Sequence, residues 1–271
     1  MGAKAPPTDY IPRKIMAQAK SNAWYGWRPD KPDARDRLYP AIACPPKRLP
    51  RRVDLRAHCP PVENQRSIGS CTATALVGNL EFLAKKAGRR IQHLSRLFLY
   101  YNARVFENTA DADEGATIRH GVKSLVKIGV CTERLWPYKV RRFAHRPPDE
   151  CYAQAAMHQV RSYHRIRGLD QMRQCLAEGY PFVFGLNIYE SFESATIIHT
   201  GVLHLPRHGE KDCGGHSVCA VGYNDETRRL LVRNSWGAAW GRAGHFTVPY
   251  DYVANPKLAE DFWTIRAFEH V

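Results

Sequence analysis

The chain has 271 residues, 44% of them hydrophobic and 24% charged, which is typical of one large globular domain or two small lobes. No apolar run approaches the roughly 18 residues of a membrane span, and residues 1–25 lack the apolar core of a secretory signal peptide. The formal net charge of +14 is concentrated near the start, where residues 1–56 hold 13 Lys or Arg against five Asp or Glu.

This charge distribution indicates a basic extension rather than a nucleic-acid-binding fold. The extension is either a solvated tail or an arm attracted to acidic surfaces. No aromatic-rich RNA-binding motif or zinc finger accompanies it, so we expect no specific nucleic-acid partner and no membrane association. The chain either stays in the cytosol or is exported by a route that its N-terminus does not reveal.

The first predicted region covers residues 1–48. It is rich in Pro, Lys, Arg and Asp and has no helical or strand periodicity, which favours extended chain. It also carries more aromatic residues than a tail without contacts would need: Trp24, Tyr25, Trp27 and Tyr39. We therefore predict an N-terminal extension that packs against a globular body formed by residues 49–271.

Helical patterns dominate the next region. Apolar residues recur at intervals of three and four over residues 71–87, and Gly88 is a plausible end. LSRLFLYYNARVF predicts a second helix that begins at Ser95, and TIRHGVKSLVKIG predicts a third that ends at Gly129. PPDECYAQAAM adds a short helical turn. These elements predict a helical lobe over about residues 60–158.

From about residue 160 the patterns change to short strands between turns. The predicted strands are QVRSYHRI, FVFGLNI, GVLHL, HSVCAVGY, LLVRNSW and HFTVPY, with one helix, GLDQMRQCLAEG, before the second of them. They predict a β lobe over about residues 159–255. The fold class is therefore α+β in two lobes, and the cleft between lobes is the natural place for a site.

A candidate nucleophile stands where the first helix begins. The stretch NQRSIGSC ends in Cys71, and the small residues Gly69 and Ser70 leave room for a substrate. Unpaired N–H groups and the dipole at a helix N-terminus favour negative charge, which lowers the pKa of a thiol. A free cysteine also packs well as a small buried residue, so this feature alone leaves both interpretations open.

Two later segments supply partners for a catalytic cysteine. His216 lies in DCGGHSVCAVGY, 145 residues after Cys71, and Asn234 ends a strand in LLVRNSWGAAWGRAGHF, 163 residues after it. Some cysteine enzymes place His and Asn about 130–150 residues after the nucleophile, so His216 fits and Asn234 lies slightly beyond.

The eight cysteines do not predict a disulfide scaffold in a chain of this length. If Cys71 is a working thiol, seven remain, so at least one more is free, which favours a reducing compartment. Cys213-x-x-His216-x-x-Cys219 prompts a check for zinc, but no second pair nearby completes four ligands. We expect no metal and no cofactor.

These blocks together resemble the papain family of cysteine peptidases. NQRSIGSC, the upstream VDLR, LWPY, HSVCAVGY and above all NSWGAAWGRAGHF match family blocks in the right order, over about residues 50–255. LSRLFLYYNAR and GWRPDKPDARD further resemble bacterial members. The resemblance implies a two-lobe fold with a helical left lobe and an antiparallel, β-barrel-like right lobe. It also implies peptide-bond hydrolysis through a thioester acyl-enzyme.

The resemblance further implies a role for each matching residue. Cys71 is the nucleophile, and His216 forms a thiolate–imidazolium pair with it and protonates the leaving amine. Asn234 holds the far nitrogen of that imidazole. Gln65 donates to the oxyanion hole together with the Cys71 backbone N–H. Trp236 shields the Asn–His hydrogen bond from water.

The same resemblance identifies substrate contacts and two departures. Gly185, Gly215 and Ser217 lie near the pocket for the side chain two residues before the cut, where small residues suggest room for a bulky apolar or aromatic group. Glu114 and Gly115 lie in a wall that binds substrate backbone. The departures are Ile68 in place of a disulfide cysteine and Thr72 in place of Trp or Tyr, so packing must stiffen the catalytic loop.

The extension is shorter and less regular than a usual papain-like prosegment. We expect it to lie across or beside the cleft and limit access, anchored by Trp24 and Trp27. The expected partners are peptide or protein substrates, and the expected state is a monomer. Two alternatives stay open: a catalytically silent peptide-binding protein on the same fold, and an acyltransferase that uses the same triad.

Overall fold

A computed structural model describes residues 25–40, 48–89 and 93–268. Trp24, one of the two predicted anchors of the extension, lies outside these residues. Within them, no helix has the length and apolar character needed to cross a membrane.

The helical lobe follows the predicted pattern closely. Its helices are α1 (Cys71–Lys86), α2 (Arg96–Val105), α3 (Ile118–Lys127) and the short α4 (Asp149–Ala155). Ser95 caps α2 by accepting a hydrogen bond from the Phe98 N–H, which confirms the predicted start. Gly88 and Gly129 follow α1 and α3 with φ values of 70° and 85°, a region in which glycine is unstrained, so both predicted ends are confirmed.

The β lobe is an antiparallel sheet of seven described strands. They are β1 (Arg52–Asp54), β2 (Val160–Arg165), β3 (Phe182–Tyr189), β4 (Asp212–Asn224), β5 (Arg229–Arg233), β6 (His245–Pro249) and β7 (Ala259–Phe268). The order is β2-β7-β3-β4-β5-β6, with β1 paired to β4. The two-lobe α+β class is confirmed, but β2 and β6 do not pair in the described part, so the sheet is open rather than closed into a barrel.

The structure differs from the strand predictions at three places, the first of which is β1 (Arg52–Asp54), a short strand that was not predicted. GVLHL is not a strand, because Val202 makes only an isolated bridge to Thr247. Strand β7 lies beyond the predicted β lobe, yet it sits inside the sheet between β2 and β3. Three further helices accompany the sheet: α5 (Gly168–Ala177), α6 (Ala195–Thr200) and α7 (Tyr250–Val253).

Helix α1 joins the two lobes. Every residue from Cys71 to Leu83 is buried, so this helix is covered on all sides rather than amphipathic. Its core cluster includes residues of the sheet such as Val183, Cys219 and Trp263. Because α1 packs between the helical lobe and the sheet, its first residue, Cys71, lies at the boundary of the two lobes and next to β4.

Candidate active site

Cys71 is the first residue of α1 and has no exposed surface. The backbone N–H of Ser217 on β4 donates to its Sγ at 3.4 Å. Strand β4 therefore brings two predicted site residues, Ser217 and its neighbour His216, to the N-terminus of α1. Packing of α1 against β4 thus brings the backbone next to His216 to Cys71, although 145 residues separate the two in the sequence.

The imidazole of His216 is held by Asn234. Its Nε2 lies 2.8 Å from Asn234 Oδ1, and both side chains are buried. Because an amide oxygen only accepts, Nε2 carries the proton in the neutral ring and Nδ1 has the lone pair. Nδ1 is buried and has no hydrogen-bond partner among the described residues. The ring is thus oriented with one nitrogen satisfied and the other ready to accept a proton.

An aromatic group covers this pair. The Trp236 ring lies 5.0 Å from the His216 ring, centroid to centroid, and the Phe192 ring lies 6.2 Å from it. Phe192 also packs edge-on against Trp236 at 5.3 Å. These contacts fit the predicted shielding role of Trp236, and Phe192 is a second shield that the sequence analysis missed.

Gln65 is completely buried, and its side-chain amide is held at both ends. Its Oε1 accepts a hydrogen bond from Ser235 Oγ at 2.5 Å, and its Nε2 donates to the Ile68 carbonyl at 3.1 Å. Ser235, which sequence reasoning did not single out, thus positions Gln65 while its neighbour Asn234 positions His216. The local signal was present, since Ser235 belongs to the NSWG block.

Residues of the N-terminal extension contact several of the predicted site residues. Trp27 is 4% exposed, and its backbone N–H donates to the Gly215 carbonyl at 2.9 Å. The Ala116 N–H donates to the Gly26 carbonyl at 2.8 Å. Tyr25 lies beside the histidine, with its ring 6.1 Å from the His216 ring. Its hydroxyl donates to Glu193 at 2.5 Å.

The predicted glycine contacts line this path. A Cβ at Gly115 would lie within 3.0 Å of the Gly26 backbone. A Cβ at Gly185 or Gly215 would lie equally close to Trp27. Real Cβ atoms essentially never come this close, so each wall is shaped by the absence of a side chain. Glu114 is more exposed and lies 3.7 Å from the guanidinium of Arg28.

The ionisation of the site differs from the sequence prediction. Burial raises the pKa of the Cys71 thiol, and the backbone N–H groups of Ser217, Gly26 and Thr72 offset this only in part. Burial lowers the pKa of His216 to about 4, although the hydrogen bond to Asn234 raises it. In this state the thiol pKa is thus raised where the sequence predicted that it is lowered, because burial disfavours the charged thiolate more than the surrounding N–H groups favour it.

The two departures from the family pattern are accommodated by packing. Thr72 Oγ1 donates to the Ala116 carbonyl at 3.0 Å, which ties α1 to the wall of the cleft. Ile68 is 3% exposed and joins the core. Seven cysteines fall within the described ranges and all are free there. In the same ranges no group of three or more His, Cys, Asp or Glu residues could hold a metal ion.

The chain belongs to the papain family of cysteine proteases, a family of hydrolases. The family model described as "Papain family cysteine protease" matches residues 49–262. This places Cys71, His216 and the NSWG block within one matched domain.

Three relatives show how far the similarity extends. Xylellain, a cysteine protease from Xylella fastidiosa to which the sequence blocks also point, is 38% identical, with a TM-score of 0.83 over 91% of this chain and 97% of its own. An uncharacterized peptidase C1-like protein of Acanthamoeba polyphaga mimivirus is 41% identical over 213 residues, which are 75% of this chain and 68% of that protein. Mouse pro-cathepsin H is 28% identical over 203 residues, covering 69% and 56%.

The match with this chain therefore spans 68% of the length of the mimivirus protein and 56% of the length of mouse pro-cathepsin H. One relative is bacterial and another is viral, so a bacterial origin stays a prediction.

Proposed function

We propose that this protein is a cysteine endopeptidase that cleaves peptide bonds through a Cys71–His216–Asn234 triad. The supporting observation is the arrangement of His216: Nε2 is bound to Asn234, Nδ1 is unpartnered within the described residues, and the next residue donates to Cys71 Sγ. A buried base with one oriented nitrogen beside a thiol is the arrangement that nucleophilic catalysis requires.

In the proposed reaction, once the extension leaves, the Cys71 thiol gives its proton to His216 Nδ1 and the resulting thiolate attacks the substrate carbonyl. The new oxyanion accepts hydrogen bonds from the Gln65 amide and the Cys71 N–H. Loss of one such donor typically costs about 2.7–4 kcal/mol of transition-state stabilisation. The His216 imidazolium then gives its proton to the leaving amine, which forms a thioester. Water attacks the thioester with His216 as the base, which releases the acid and restores the thiol.

We further propose that the N-terminal extension blocks the cleft until it is displaced. In a substrate, the residue in the Gly185–Gly215 pocket lies two positions before the cut, so the chain runs from this pocket toward Cys71. In the extension, Gly26 beside Cys71 precedes Trp27 in the pocket, so the extension runs in the opposite direction. The Gly26 carbonyl is engaged by Ala116, and this backbone is held as an inhibitor rather than as a substrate.

The proposed activity is tested by labelling the full chain with an epoxide inhibitor of thiol peptidases, together with turnover of fluorogenic peptides. We expect one adduct at Cys71 by mass spectrometry, and Cys71→Ala should lose both the adduct and turnover. Cys213→Ala is the control, because it removes a thiol that is more exposed than Cys71 and lies on the same strand as His216, and it should keep both. Equal labelling or turnover in Cys71→Ala contradicts the proposal.

Peptide binding that survives in a protein with no turnover would instead favour the silent binding protein. Transfer of the acyl group to an added amine in preference to water would favour the acyltransferase.

A further inference from the structure

We propose that Glu107 and Glu114 form a subsite for a basic side chain, Arg or Lys, three residues before the cut. This inference rests on the proposed function and adds a specificity to it. The supporting observation is the position of Arg28, whose guanidinium forms ion pairs with Glu107 and, at 3.7 Å, with Glu114. Arg28 therefore occupies a negatively charged recess in the cleft wall.

Glu107 is held in place for this contact. Its Oε1 accepts hydrogen bonds from the N–H of Thr117 at 2.8 Å and from its hydroxyl at 3.0 Å, and lies 3.0 Å from His120 Nδ1. Its side chain is 7% exposed. Its Oε2 is buried, makes no hydrogen bond within the described residues, and faces Arg28.

A structural role accounts for only one of the two carboxylate oxygens of Glu107. Thr117 is the N-cap of α3, so Oε1 helps to satisfy the start of that helix. When the extension leaves the cleft, that role leaves Oε2 without the cation that pairs with it in this state. Because the other carboxylate oxygen is already held by hydrogen bonds, Oε2 stays in position to bind a new cation in the same place.

The position of the recess sets which substrate residue would enter it. Side chains of an extended peptide alternate in direction, and Trp27 and Arg28 point to opposite walls of the cleft. Trp27 fills the pocket of Gly185 and Gly215, so Arg28 marks the next position away from Cys71. A substrate runs in the direction opposite to the extension. When its residue two positions before the cut fills the pocket of Trp27, its residue three positions before the cut lies beside Glu107 and Glu114.

The experiment uses the full chain with Gly26→Ala and Arg28→Ala, which loosen the extension and empty the recess. The substrates are X-Trp-Gly-aminocoumarin peptides, where X is Arg or its neutral isostere citrulline. We expect kcat/KM to be about tenfold higher for Arg, since a partly buried ion pair adds roughly that much affinity. Added salt should reduce this ratio only in part, because Glu107 is shielded from solvent.

Glu107→Gln and Glu114→Gln should each lower the Arg-to-citrulline ratio, with the larger loss for the buried Glu107. Gln at position 107 keeps an oxygen for the Thr117 contacts, and thermal unfolding checks that it folds. Glu114 has a side chain that is 57% exposed, so its variant gives a second readout if the first does not fold. Glu226→Gln, an exposed acid on a distant turn, is the matched control and should keep the ratio.

A ratio near one, or a high ratio that neither Gln variant changes, overturns the subsite while leaving the peptidase in place. The same two peptides are also bound to a form that carries Cys71→Ala, with anisotropy of a fluorescent label as readout. Discrimination in binding without any turnover in the active form keeps the subsite and rejects the endopeptidase. Loss of discrimination in both assays rejects the subsite.

Discussion

Two parts of the N-terminal extension contact the body by different physical means. Residues 25–27, here called the cleft segment, rely mainly on shape: a glycine packed between backbones and a tryptophan in a pocket. Residues 30–40, here called the anchor segment, rely on charge. The Asp36 carboxylate accepts two hydrogen bonds from Arg119 and one from Arg165.

The anchor segment also has buried contacts away from Asp36. Asp30 is 8% exposed, its N–H donates to the Asp261 carboxylate at 2.7 Å, and its own carboxylate accepts from the Trp263 indole at 2.8 Å. Tyr39 donates its N–H to the Arg165 carbonyl at 2.8 Å. Under the proposed function, we expect a division of roles in which the anchor segment keeps the cleft segment at high local concentration and the cleft segment excludes substrate.

The largest effect is expected from one methyl group in the cleft segment. Gly26→Ala places a Cβ within 3.0 Å of the Gly69 carbonyl, so the segment must lift away. Overpacking of this kind typically costs about 1–3 kcal/mol, which corresponds to roughly 5- to 150-fold faster labelling of Cys71 by the epoxide inhibitor. The rate is measured by mass spectrometry over time.

Ala34→Ser is the control for Gly26→Ala, because it adds one atom at an exposed position of the anchor segment. It should label at the wild-type rate. Wild-type labelling in Gly26→Ala as well would show that the cleft segment does not limit access.

A smaller effect is expected from the anchor segment. Asp36→Asn removes the charge that pairs with Arg119 and Arg165, but the contacts of Asp30 and Tyr39 remain. We expect labelling of Cys71 to accelerate about three- to tenfold, since a partly buried pair contributes more than an exposed one. Asp149→Asn breaks an exposed pair with Arg146 and should have no effect. An acceleration as large as that of Gly26→Ala would contradict the division of roles.

The smallest effect is a pH dependence of stability at the anchor. Burial, and then the neighbouring Asp30 carboxylate, raise the pKa of Asp261 from 3.8 to about 7. Between these values the folded protein holds a proton that the unfolded chain has released. The contribution of Asp261 to stability therefore falls as pH rises from about 4 to 7, by up to about 1.4 kcal/mol per pH unit.

Asp261→Asn should make this slope shallower but not remove it, because burial also raises the pKa of Glu81 to about 7. The slope is measured by urea unfolding of both proteins between pH 4.5 and 8. Asp36 does not contribute to the slope in this pH range. Burial acts to raise its pKa, but hydrogen bonds from Arg119 and Arg165 hold that pKa below its ordinary value. Asp170→Asn, at a side chain that is 98% exposed, should leave the slope unchanged. Parallel curves for wild type and Asp261→Asn would refute the assignment.

Much of the fold was predictable because local patterns carried it. The periodicity of α1 to α3, the cap at Ser95 and the alternation of the strands are all short-range signals. Strand β7 was missed, although it lies inside the sheet, because its neighbours β2 and β3 are far away in the chain. Pairing between strands that are far apart in the chain depends on tertiary packing, so the local sequence pattern of such a strand indicates it only weakly.

The sequence by itself determined the family and predicted the reacting side chains, since Cys71, His216 and Asn234 stand in blocks whose order and composition are typical of that family. Only the tertiary structure decided the rest: the direction of the extension, the uncharged preference of the buried thiol and imidazole, and the pairing of Arg28 with Glu107. The physical reason is that the ionisation of Cys71 and His216, and the residues that contact them, depend on which surfaces exclude water. Segments that are distant in the chain form those surfaces only when the chain folds.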